Sequence, residues 1–135
     1  MKKLIALVSL ATCAAIANAG EFVTANYGRV SVKDFQDLVT RDFTARFPVD
    51  AWEVFVYSDA FTMNRSGQAI CHAIVGVVPR GARQFPLRQF ATTKTATVQP
   101  GRWNDAEALS FETECVRAAI GNMMDTDPAK VYRAK

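Results

Sequence analysis

Eleven residues, 68–78, constrain the fold more than any other stretch of this chain, because they sort by size at every second position. Successive side chains of an extended strand point to opposite faces. One face therefore carries Ala69, Cys71, Ala73, Val75 and Val77, and the other Ile70, His72, Ile74, Gly76 and Val78. The small residues around Cys71 call for a helix packed closely against that face. Asn64-Arg65-Ser66-Gly67 supplies turn chemistry just before, with Gly67 able to take a positive φ. Residues 52–63 before the turn are rich in Val, aromatic and Thr residues, so the pair reads as a hairpin closed by Pro79 and Gly81.

Cys71 gains its meaning from the N-terminus. Lys2 and Lys3 precede an apolar run beginning at Leu4, and Ala17-Asn18-Ala19 has the small-x-small form of a cleavage site. Residues 1–19 read as a secretory signal peptide cut after Ala19, with periplasmic or secreted localisation. The competing reading is a lipoprotein box at Leu10-Ala11-Thr12-Cys13, disfavoured by Thr12. The apolar run is too short for a span of about 20 residues, and nothing after residue 20 is long and apolar enough to supply one. Removing 19 residues from 135 leaves 116, read as a single compact domain, 20–135, with 125–135 a polar tail. Cys13 leaves with the leader, and in an oxidising compartment Cys71 and Cys115 are expected to form a disulfide.

The other elements follow from periodicity and caps. Residues 31–47 carry Phe35, Leu38, Val39, Phe43 and Phe47 at three- and four-residue spacing, with Ser31 as cap, Asp34 in the first turn and Pro48 as stop. One helix is expected there. Residues 87–99 read as a Thr-rich third strand ended by Pro100-Gly101. Asn104 and Glu107 have capping-box spacing for a helix over 105–124, whose apolar face includes Cys115. Residues 131–132 suggest a short strand. The expected fold is α+β: a two-layer sandwich of order α-β-β-β-α, its antiparallel meander three-stranded, or four-stranded if residues 22–27 join.

Composition excludes more than it assigns. Half of the chain is hydrophobic and nine residues are Phe, which argues against disorder. The net charge of +3 falls to +1 without Lys2 and Lys3. Between Asp59 and Asp105 there is no acidic residue but six basic ones, Arg65, Arg80, Arg83, Arg88, Lys94 and Arg102. No nucleophile elbow, zinc-protease, P-loop or dinucleotide motif occurs, and a lone histidine rules out a multi-histidine metal site. No catalytic residue, cofactor or metal is assigned, and no RNA- or DNA-binding pattern accompanies the basic residues.

Three features remain as candidates. The segment Pro79-Arg-Gly-Ala-Arg-Gln-Phe-Pro-Leu-Arg88 combines arginines with an aromatic anchor on a proline-stiffened loop. Arg80, Arg83, Phe85 and Arg88, supported by Arg102 and Trp103, form the expected partner-binding set, for an acidic protein surface or an anionic envelope polymer. Glu112 falls inside the apolar face of the last helix and should pair with an arginine such as Arg88, or face a pocket. His72 is expected to bond locally. The function these features suggest is an exported binding protein that acts by occlusion, of inhibitor or immunity-protein type, against an envelope-acting enzyme. The alternatives are a small hydrolase or toxin using Glu112 with His72 or an arginine in a sheet–helix cleft, and an envelope structural accessory.

Overall fold

The computed structural model describes residues 24–63, 66–99 and 101–133. The leader, its cleavage site and Cys13 lie outside the described residues. Four strands form one sheet in the order β1-β2-β3-β4: β1 Thr24–Tyr27, β2 Trp52–Met63, β3 Gln68–Pro79 and β4 Gln89–Thr97. A 3₁₀ helix, Val32–Leu38, and α1, Arg41–Arg46, connect β1 to β2. Helix α2, Asp105–Met124, and α3, Lys130–Arg133, follow β4. The architecture is α+β, with α2 packed on one face of the sheet.

The hairpin forms where the alternation put it. Twelve residue pairs run from Trp52 opposite Pro79 to Met63 opposite Gln68, and Gly67 turns the chain with φ +62°. Cys71, Ala73 and Val75 are fully buried beneath α2 in one core with Cys115, Val116 and Ala119, and Ala69 is buried as well. Small residues on both surfaces let helix and sheet approach. The Cys71–Cys115 disulfide crosses that gap with Cα atoms 6.2 Å apart. Helix α2 starts as its cap dictates. The Asn104 side chain accepts from Ala106 N and Glu107 N, both at 3.0 Å, and Glu107 Oε2 accepts from Asn104 N at 3.3 Å.

Four expectations are corrected. The helix over 31–47 is broken at Val39–Thr40: the first half is 3₁₀ and the second is α1. Thr40 is extended and its hydroxyl accepts from Phe43 N at 3.3 Å, so it caps a new helix in place of continuing the old one. The apolar stripe survives the break, with Phe35, Phe43 and Phe47 all buried. Second, the sheet is mixed, because β1 lies parallel to β2, Thr24 opposite Val54 and Tyr27 opposite Tyr57. A parallel neighbour needs a crossover of a dozen or more residues, which the two short helices provide. Third, residues 131–132 are helical in α3, not a strand. Fourth, part of the polar tail is docked: Pro128 and Ala129 are buried, and the Tyr132 ring packs edge-on against Trp52 at 5.6 Å. Strand β4 begins two residues later and ends two earlier than expected.

Among the described residues, no helix is long and apolar enough to cross a membrane.

Candidate binding face and arginine loop

The register divides the sheet into two unlike surfaces. Val54, Val56, Ser58 and Ala60 of β2 face α2 together with Val77, Val75, Ala73 and Cys71 of β3. The opposite surface carries Phe55, Tyr57, Asp59, Phe61 and Met63 from β2, Ile70, His72 and Ile74 from β3, and Ala25 and Tyr27 from β1. No helix of the described residues covers it. Seven large hydrophobic residues are exposed among the described residues; Tyr27, Tyr57, Phe61 and Met63 stand on this face, and Phe85 and Leu87 on the loop at its end. The polar row Asp59, His72 and Thr93 crosses this face and leaves Tyr27, Phe55 and Tyr57 grouped with the loop; exposed apolar side chains grouped in this way on a small protein mark a place of contact.

The loop between β3 and β4 folds back over the end of this face near Trp52. Pro86 presses onto Gly76: a Cβ built at Gly76 would lie 2.5 Å from Pro86 Cβ and 2.8 Å from the Arg88 carbonyl, so only glycine admits the loop here. The Phe85 ring meets Phe55 edge-on at 5.4 Å while remaining 70% exposed, and Tyr27 reaches the same Phe55 ring at 5.7 Å. Between β1 and the loop lies a hollow of about 360 Å³, lined by Tyr27, Glu53, Phe55, Val78, Arg83 and Phe85 among others. An aromatic anchor on a buried ring, beside an exposed guanidinium, is the arrangement that concentrates binding energy at protein interfaces.

The expected site residues do not all meet. Arg83 and Phe85 line one hollow and Arg88 lies three residues further along the same loop, and neither arginine makes an ion pair among the described residues. Arg80 is structural: its N–H donates to Ala51 O at 2.8 Å and its guanidinium to Val49 O at 2.5 Å, clamping the entry to β2. Arg102 and Trp103 follow β4 at the other end of the sheet, about 26 Å away along that nine-residue strand. They cannot support the loop.

His72 and Glu112 are likewise kept apart. His72 lies on the open face, where Nδ1 and Thr93 Oγ1 are 2.8 Å apart and Asp59 is its cross-strand neighbour. Glu112 projects from α2 on the other side of the sheet and is fully buried. Its expected partner Arg88 is in the loop over the open face. Glu112 Oε1 instead accepts from Ser58 Oγ at 2.6 Å and from Arg29 N at 3.0 Å, while Oε2 has no hydrogen-bond partner. The carboxyl group thus ties the Gly28–Arg29 turn to β2 and α2. It opens into no cleft, so Glu112 and His72 cannot act as a pair. Cys71, locked in the disulfide, supplies no thiolate.

The open face was legible in the alternation of residues 52–63, where aromatic and long side chains at 55, 57, 61 and 63 oppose small or branched ones at 54, 56, 58 and 60. A comparison with protein-family models, with curated proteins and with solved structures finds no match to this chain.

Proposed function

We propose that this chain is a small exported binding protein that acts by occlusion, of inhibitor or immunity-protein type, against an envelope-acting enzyme. The observation that carries the reading is the concentration of exposed apolar side chains on one sheet face and its arginine loop. Phe85 is the anchor, held by Phe55 and Pro86 so that little side-chain freedom is lost on binding. Arg83 and Arg88 flank it and favour an acidic cleft in the partner, where they would raise the association rate and exclude basic competitors. Tyr27 and Tyr57 extend the contact along the sheet; tyrosine is well suited to a surface that is wet when free and buried when bound. Blocking a cleft in this way needs shape and charge, with no catalytic group.

The test is to add the purified protein to a bacterial envelope fraction, assay its hydrolases, and identify by mass spectrometry any enzyme captured with a fall in its activity. The wild type is expected to silence one enzyme at equimolar ratio. The double variant Arg83→Ala/Phe85→Ala should bind that enzyme about 100-fold more weakly, two hot-spot losses of about tenfold or more each. Unchanged capture by the variant would remove the loop from the interface. No change in any envelope activity would overturn the inhibitory reading.

A further inference from the structure

Two hollows lie side by side at the end of the sheet remote from the arginine loop, and Trp103 lines both. One, of about 350 Å³, runs between the end of β4 and the first turns of α2, with Arg102, Glu107, Ser110, Phe111 and Glu114 in its wall. The second, of about 260 Å³, is bordered by Thr62, Gly67 and Gln99 at the hairpin end. Trp103 is half-buried and meets Phe111 edge-on with ring centroids 6.2 Å apart, so the indole is fixed in place. Together the hollows form a groove with an aromatic centre, whose walls mix apolar Met63, Val98 and Phe111 with polar Thr62, Gln99 and Ser110.

The charges of the groove select its ligand. Glu114 pairs with Lys94 at 3.5 Å, and Arg102 and Glu107 line the same hollow, so the wall carries both signs with no net excess. An anionic ligand would meet Glu107 and Glu114, and a cationic one would meet Arg102. A neutral ligand with many hydroxyl groups satisfies both, because each hydroxyl donates to a carboxylate and accepts from a guanidinium or amide. The same ligand must present apolar C–H surface to Trp103. Saccharides combine these properties, and a groove divided by one indole suits a chain of several sugar units. We infer that the Trp103 groove binds a neutral oligosaccharide strand. This site is independent of the arginine loop, and its test does not depend on the partner of that loop.

The chain has two tryptophans, and Trp52 lies at the opposite end of the sheet against Tyr132. In a Trp52→Phe background, emission therefore reports Trp103 alone. Titration with triacetylchitotriose, cellotetraose and maltotetraose is expected to give a saturable emission change with at least one of them, at a dissociation constant on the order of 1 mM. Ser110 is exposed on α2 in the groove wall, so Ser110→Phe fills the groove without entering the core. It should weaken binding at least about tenfold with an unchanged melting temperature; Trp103→Ala, read by calorimetry well below its lowered melting temperature, should weaken binding as much, the stability loss coming from its packing on Phe111. No saturable change with any of the three sugars up to about 20 mM would overturn the assignment. So would equal affinity in Ser110→Phe, or a response to oligolysine in place of the sugars.

Discussion

Gly28→Ala is the sharpest test of how the buried Glu112 is used. Gly28 sits at φ +146°, a conformation that side chains with a Cβ rarely adopt. A Cβ built there would lie 2.5 Å from Ser58 O and 2.7 Å from Glu112 Oε1, and would overlap Ser58 Oγ as well. Backbone strain of this kind costs about 1–3 kcal/mol. Displacing a buried carboxyl group from its two donors costs about 1.5–3 kcal/mol more. The expected loss is therefore about 2.5–6 kcal/mol, a fall in melting temperature of roughly 10–24 °C for a domain of this size. Gly81→Ala is the matched control, since Gly81 has φ +78° but nothing within 4 Å of its built Cβ. That variant should lose only about 1–2 kcal/mol. Both would be measured by guanidinium unfolding followed by circular dichroism. If the two variants agree to within about 0.5 kcal/mol, the Glu112 tie contributes nothing and the reasoning fails.

Replacing Cys71 and Cys115 together by Ala should cost up to about 4 kcal/mol, because the bridge closes a loop of 44 residues in the unfolded chain; a loss under about 1 kcal/mol in denaturant unfolding would contradict the chain-entropy account. Asp37 is held below its ordinary carboxylate value of 3.8, chiefly by hydrogen bonds from the Arg117 guanidinium. The unfolded chain then binds more protons in this window, so the contribution is present above about pH 4 and is lost as pH falls through the lowered folded value. Asp37→Asn should flatten the stability–pH curve there and leave its shape above pH 5 unchanged, as followed by thermal melts across pH 2–6.

Much of the fold could be read from residue types because local and tertiary preferences agree. The 68–78 alternation, the turn at Gly67 and the Asn104–Glu107 cap each specify one geometry, and α2 and the hairpin follow to within a residue. The break at Thr40 was harder to see, since a 3₁₀ turn followed by an α-helix keeps the same apolar stripe buried as one continuous helix would. Its sign was Thr40 itself, a good cap preceded by the β-branched Val39. The candidate site was half legible. Phe85 and the arginines announce a loop for binding, but only the register shows that Arg80 is consumed by Val49 and that Trp103 belongs to the far end. Glu112 could not be paired from sequence, because its partners are a backbone N–H and a serine hydroxyl, groups with no charge to announce them.

The docking of Tyr132 bears on how the molecule is handled. Its hydroxyl accepts from Leu87 N at 2.9 Å, so the last described helix, α3, is seated at the loop end of the sheet. A support coupled through a cysteine introduced on α3, as in Lys130→Cys, would stand at that same end. Immobilised that way, the protein would turn its Trp103 groove outward and crowd its arginine loop against the support. Attachment through Ser66→Cys at the hairpin tip reverses the orientation, leaving the loop free and the groove near the surface.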